Sequence, residues 1–384
     1  MPSDSLKTFT KDSLDSFNNF EMPSKLDRPW RYTDISHIQF EPNELKNLDY
    51  DVRIDSNLVD GITADHVTKE NVDEVHKIFS ENLGSTQVIN PDKFSLTNDA
   101  FWHRGIFVHA KKNFVMDEPI KINIASNSVS MLPRILVYAE ENSEIRIQLS
   151  SSSELVTKFV ISTIEIIAEK SAHIKLFITS NLSNATEEFL YVRGNLDQNA
   201  DFELGLLPIS GKLFKHTVEN SIIGEGANAS IKGFALGDDE QHFDFVTIQD
   251  HIGKKSTSHV DIRSALGDSS RNVYYGITRV EESAFDAEAE QSNRNLLLSS
   301  NAKADSDPVL EILTSHVIKC GHAATVGPLD NEAVYYLQSR GLSSKEATKL
   351  LVSGSFSETF SNMPFNDIQD VLLEVVNKKL EQLD

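Results

Sequence analysis

The sequence predicts a mainly β chain: a β-solenoid over residues 96–327, with helical regions at 1–95 and 328–384. Short runs rich in Val, Ile, Phe and Thr follow one another from about residue 100: GIFVHA, PIKINIAS, PRILVYAEE, SEIRIQLS, KFVISTIEIIAE and AHIKLFITS. Each reads as a strand. Polar turns leading into a new strand also recur, as AEENSEIRI, AEKSAHIKL, LDQNADFEL and IGEGANASI. Aligned on Ser143, Ala172, Ala200, Ala227, Ser256 and Ala284, the unit returns every 27 to 29 residues. It contains strands and turns with no helical pattern, which is the mark of stacked coils, since the strands of a sandwich need not repeat.

At the N-terminal side, Leu6, Phe9, Phe17 and Phe20 fall at helical intervals. NVDEVHKIFSENLG places Val72, Val75, Ile78 and Phe79 on one stripe, opens at Asn71 with Glu74 three residues on, and stops at Gly84. Between these helices lies RPWRYTDIS, whose Pro29, Trp30 and Tyr32 are suited to anchor the segment on the body. After Gly327 the pattern turns helical again. Asp330 caps NEAVYYLQSR, Gly341 stops it, and Ser343 with Glu346 forms a capping box before EATKLLVSGSF. A last helix is expected from Asn366 through Ile368, Val371, Leu372 and Val375. This tail reads as a small helical module fixed to the end of the solenoid.

Charge and composition exclude several classes. With 36 basic against 58 acidic residues the formal charge is −22, which repels phosphate backbones and anionic lipid, so neither nucleic acid nor membrane is an expected partner. No apolar run reaches the roughly 20 residues that span a bilayer, and the first residues lack the apolar core of a signal peptide. The expectation is a cytoplasmic protein. GLLPISGKL from Gly205 has one residue too many for a phosphate loop and Leu213 in its last place, and no G-x-S-x-G, H-E-x-x-H, C-x-x-C or G-x-G-x-x-G motif occurs. The chain is therefore not expected to be an enzyme in its own right.

One thiol, Cys320, stands in VIKCGHAATVG. In an extended segment Cys320 and His322 share a face about 7 Å apart, with Lys319 and Gly321 on the other. Thiolate and imidazole are ligands that iron and zinc accept, and Lys319 is close enough to lower the thiol's pKa modestly. An iron-sulfur cluster takes four ligands, so a metal held by His322 and Cys320 needs donors from a second polypeptide. The plainer alternative is that both are packing residues. Four further histidines, His216, His242, His251 and His259, crowd the late β region; their spacing matches no ligand pattern, and packing is the favoured reading.

RNLLLSSNAKADSDPVLEI from Arg294 and KCGHAATVGPLDNEAVYYLQSRGLSSKEATKLLVSGSF from Lys319 closely resemble the SufB/SufD family of iron-sulfur cluster assembly proteins. RPWRYTDI, GIFVHAKKNFVMDEPI, PRILVYAEENSEI and QHFDFVTIQDHIGKKSTSHVDIRSALGDSSRNVYYGITRV are similar to family segments too. The resemblance is to the SufD branch: SufB-type proteins carry an acidic-His-acidic run and further cysteines, whereas here Cys320, Gly321, His322 and Ala323 stand. Gly321 and Ala323 depart from the usual Ser and Gly, and both remain small.

The resemblance implies a right-handed parallel β-helix and a heterodimer with a SufB-like subunit, a homodimer remaining open. It implies docking of a SufC-like ATPase on the C-terminal helices, where Asp330, Tyr335, Tyr336, Arg340 and Leu350 are the candidate contacts. A transient iron-sulfur cluster would be shared with SufB at His322, with Cys320 beside it. The chain would hold no cofactor of its own, and ATP would act only through SufC. Two other readings compete: a purely structural docking platform for SufB and SufC, and a β-helix lyase or hydrolase, for which neither an acidic and basic groove nor a secretion signal is visible.

Overall fold

The computed structural model describes residues 4–39, 45, 50–55, 60–69, 77–86, 88–361, 374–375, 377–379 and 381. Two strands open the β region, β1 (Tyr50–Asp55) and β2 (Ile62–Thr68). β3 (Arg104–Ala110), β4 (Ile120–Ser126), the short β5 (Ser130–Met131) and β6 (Arg134–Ala139) follow. Long strands then alternate: β7 (Glu144–Ser153), β8 (Phe159–Ala168), β9 (His173–Asn181), β10 (Glu187–Leu196), β11 (Asp201–Ser210) and β12 (Leu213–Ile222). They continue as β13 (Asn228–Gly237), β14 (His242–His251), β15 (Thr257–Leu266), β16 (Arg271–Val280), β17 (Ala287–Leu297), β18 (Lys303–Ile312) and β19 (Val317–Pro328).

Each coil contributes one strand to each of two sheets. Sheet A runs β1-β4-β7-β9-β11-β13-β15-β17-β19, and sheet B runs β2-β3-β6-β8-β10-β12-β14-β16-β18. Successive coils pair in parallel, so residues one repeat apart stack about 4.8 Å from each other. The β-solenoid that the repeat predicts, with the parallel strands that the family resemblance implies, is thus what the chain forms, in about eight turns. Two strands per coil, and not three, make up the unit.

The repeat has a physical cause in one turn of the coil. Ser143, Ala172, Ala200, Ala227 and Ser256 are almost wholly buried. The residue before each, Asn142, Ser171, Asn199, Gly226 and Lys255, has φ between +54° and +74°. There the backbone reverses in the left-handed region, and the N–H of that residue donates to the next coil, as in Asn142 to Lys170 O (3.0 Å) and Asn199 to Glu225 O (3.0 Å). Only a small side chain fits beneath the reversal. At the sixth anchor, Ala284, the left-handed residue is Asp286 instead, and the register between β17 and β19 shifts at Ala287/Glu288.

The region 1–95 is not helical throughout. α1 (Asp4–Asn19), α2 (Lys77–Asn82) and α3 (Lys93–Phe101) are joined by β1 and β2, which pair antiparallel with β4 and β3 and begin both sheets before residue 96. The expected helix start at Asn71, with Val72 and Val75, lies outside the described residues; Gly84 does close that segment, at φ +74°. RPWRYTDIS lies on the outer face of sheet B. Trp30 stacks on Phe94 (5.1 Å) and Phe189 (6.2 Å), while the buried Lys215 ammonium donates to Pro29 O (2.6 Å) and Asp244 (2.7 Å) beneath it.

α4 (Asn331–Ser339) and α5 (Ser344–Ser361) begin where expected. Asp330 accepts from the N–H groups of Glu332 and Ala333, Ser343 and Glu346 exchange their bonds, and Gly341 has φ +100°. Asn366, Ile368, Val371 and Leu372 lie outside the described residues; Val375 is described as helical. The described helices of the module do not cap the solenoid's end. Val352 and Phe356 of α5 instead pack on the outer face of sheet A, against Phe177, Leu207, Phe234, Leu236 and Ala265. Those outward apolar side chains on β9, β11, β13 and β15 draw the helix back along the sheet and leave the last coil open.

His251 faces the lumen with its two ring nitrogens on Ser256 (2.9 Å) and Ser258 (2.7 Å), and burial pushes its pKa down to about 4. The unfolded chain, with histidine near 6.5, binds the proton more readily across the window from 6.5 to 4. Acidification through that window therefore removes up to about 3 kcal/mol of stability. Urea midpoints measured from pH 7 to pH 4.5 should fall for the natural chain and fall less for His251→Gln; equal slopes would refute the assignment.

Candidate functional site

β19 is the last strand of sheet A and β18 the last of sheet B, each with one neighbour in its sheet. Among the described residues no strand pairs with their outer edges, which leaves a template for another strand. Ile312, Leu313, Ile318 and Val326 are exposed beside them, Ile318 to 68%. An apolar rim thus borders two open strand edges.

Cys320 and His322 lie on this terminal strand. Cys320 is in register with Ala289 and His322 with Gln291, both buried, so the two share the lumen side as the extended reading predicts. Their environments differ. Cys320 packs against Val280, Ala284 and Ala287, and burial raises its pKa. The expected help from Lys319 is not found, because that ammonium points to the other face and is paired with Glu290. His322 is exposed and borders a shallow cleft of about 360 Å³ that runs onto the outer face of sheet A, past Glu290, His259, Asp261 and Arg263.

Beneath His322 the lumen changes character. The stacked row reads Leu204, Ile231, Val260, Gln291, His322, and its neighbour reads Leu206, Gly233, Ile262, Asn293, Ala324. Early coils are filled by aliphatic side chains, whereas the last ones hold a hydrogen-bonded polar layer. Tyr274 donates to Gln291 (2.9 Å), Asn272 to Asn295 (2.7 Å), Asn295 to Asn293 (2.6 Å), and Ser306 to Asn293. Sequence reasoning passed over these residues. Their signal was present in AEAEQSNRNLL, where the inward positions run Ala, Ala, Gln, Asn, Asn in place of the aliphatic alternation of earlier strands.

The other histidines are dispersed. His216 faces the lumen on β12 and contacts Glu188 (2.8 Å), His251 sits three rows away, His242 meets Thr33 under the N-terminal segment, and His259 lies on the outer face of β15. Among the described residues no three His, Cys, Asp or Glu side chains come together as a metal site. On the helical module Asp330 caps α4, Tyr335 and Tyr336 are exposed, Arg340 lies 5.2 Å from the Tyr336 ring, and Leu350 of α5 is exposed. All five are exposed.

Fold and site together define a class: a parallel β-solenoid whose last coil is open and carries an imidazole and a thiol too few in number to complete a metal centre. The family model for the SUF system FeS cluster assembly, SufBD core domain, matches residues 122–355, and the chain belongs to that family. It is SufD-like. It is 27% identical over 320 residues to the iron-sulfur cluster assembly protein SufD of Bacillus subtilis (strain 168), covering 82% of this chain and 72% of that protein. An iron-sulfur cluster assembly SufBD family protein of Staphylococcus haemolyticus (strain JCSC1435) is 26% identical over 292 residues, 75% of this chain and 62% of that one. A third, from Staphylococcus aureus (strain USA300), is 26% identical over 304 residues, 77% and 64% respectively. The chain thus spans just under two thirds of the two staphylococcal relatives.

Proposed function

We propose that this chain is a SufD-like scaffold subunit for iron-sulfur cluster assembly, pairing with a SufB-like subunit through the β18 and β19 edges and with a SufC-like ATPase through α4 and α5. The observation that carries this is the open terminal coil: His322 stands exposed on an unpaired strand edge with an apolar rim, and Cys320 is the one thiol in the chain. A nascent cluster, as cargo, takes His322 as one ligand and further donors from the partner. The scaffold has no catalysis and no resident cofactor of its own. ATP binding by SufC, docked at Tyr335, Tyr336, Arg340, Leu350 and Asp330, moves the helical module and opens the SufB edge to iron and sulfide.

A second reading is favoured by one feature. Cys320 sits in an apolar packing cluster with a thiol whose pKa burial raises, which suits a structural residue better than a thiolate ligand. In the limit where His322 is also uninvolved, the chain is a docking platform for both partners. Co-purification with SufB-like and SufC-like partners, followed by iron and acid-labile sulfide counts, decides. The chain alone should retain little of either while the complex holds both; a full complement on the isolated chain would overturn the shared site.

A further inference from the structure

The polar layer under His322 is more ordered than its exposure to the open end requires. Gln291 is buried on β17 and stacks directly beneath His322 in the same lumen row. Its amide is held from two sides: Tyr274 Oη donates to Oε1 at 2.9 Å, and Nε2 donates to Val309 O on β18 at 3.0 Å. Tyr274 is itself fixed by Thr247 at 3.1 Å. Residue 276 is glycine, and a Cβ there would stand 2.2 Å from Tyr274 Oη and 2.3 Å from Gln291 Oε1. The space that lets these two groups meet is therefore kept open by the sequence itself.

An amide offers two N–H donors and two acceptor lone pairs. Tyr274 takes one lone pair and Val309 one donor, so one of each remains, on an amide whose flip is fixed. The next residue in the row is His322, whose backbone lies one strand spacing, about 4.8 Å, from that of Gln291. Every earlier residue in that row is aliphatic and offers an imidazole nothing.

We propose that Gln291, locked by Tyr274, is the positioning residue of His322: its amide engages one ring nitrogen, sets the tautomer and turns the other nitrogen toward the open edge. A histidine that binds metal needs this kind of support, since the bond made by one nitrogen decides what the other presents. The inference rests on the assembly reading for its purpose but not for its test.

With histidine-selective ¹⁵N labelling, the ring shifts of His322 are read in the isolated chain for the natural sequence, Gln291→Leu, Tyr274→Phe and Gly276→Ala. Loss of one hydrogen bond should change the tautomer ratio by about fivefold in Gln291→Leu. Tyr274→Phe, which removes only the hydroxyl, should move it in the same direction, and the ring shifts of His173, distant on β9, should stay put. Tyr274→Phe also serves where Gln291→Leu fails to fold. Unchanged His322 nitrogens in a folded variant would overturn the proposal, whatever happens to cluster yield. A normal yield from His322→Ala alongside responsive ring shifts would instead leave positioning intact and remove the assembly role.

Discussion

Replacing Arg134 with Met should lower the unfolding free energy by about 3–5 kcal/mol, among the largest losses any single side chain in this molecule can cause. Arg134 is fully buried between sheet B and the N-terminal region, paired with Asp99 and with Glu165. Glu165 is fully buried as well and accepts from the Gly84 N–H (2.9 Å) and Thr86 Oγ1 (2.8 Å). Methionine fills most of the volume but leaves the carboxylate of Glu165 without its counter-charge. Because the penalty is an orphaned charge and not a lost attraction, neutralising the partner should relieve it. Arg134→Met with Glu165→Gln should be more stable than Arg134→Met alone, since Gln still accepts from Gly84 and Thr86. Guanidinium denaturation of the natural chain and the two variants checks this, and a loss below about 1 kcal/mol for the single change would contradict it.

That ionic layer also marks where the sequence misleads. Glu165, Arg193 and Glu219 stack in one row on β8, β10 and β12 and point out of the coil. Alternation alone assigns such residues to solvent. All three are buried, because residues 84–86 and 88–99 lie over them, with Gly84 bonded to Glu165 and Asn90 to Glu219 (2.9 Å). Nothing local in the strand sequences states that a cover will come from eighty residues upstream. The solenoid itself was legible because each coil repeats one demand, a small residue under a left-handed reversal, and that demand writes itself into the chain at every turn.

The two antiparallel strands β1 and β2 were not legible. YDVRID and ITADHVT are short, polar on one side and isolated from the repeat, so they take their conformation from the sheets they start. The helical module's position was half legible. Phe234 and Leu236 in NASIKGFALG break the alternation on the outward face, which requires a cover, but only the fold shows that Val352 and Phe356 supply it. At the site, Cys320 and His322 sharing a face followed from strand geometry alone. The different fates of the two did not, because one lies over a pocket of alanines and the other over a fixed amide.

That difference separates the two donors in an experiment on the complex. His322→Ala should cut the iron and sulfide recovered per assembled complex by about 10- to 100-fold, the loss typical when a metal site is deprived of a supporting group or more. Assembly should persist, because the imidazole is exposed and the edge backbone and apolar rim, to which the proposed pairing assigns the contact, are unchanged. Cys320→Ala should act otherwise. Its sulfur contributes to packing against Val280, Ala284 and Ala287, and a methyl group replaces much of that contact, so a stability loss of about 1 kcal/mol with yield within about twofold is expected. Metal counts on gel-filtered complexes, together with melting curves, distinguish the cases. Equal collapse of yield in both variants would make Cys320 a ligand despite its burial, while normal yield in both would make this end of the solenoid a docking edge alone.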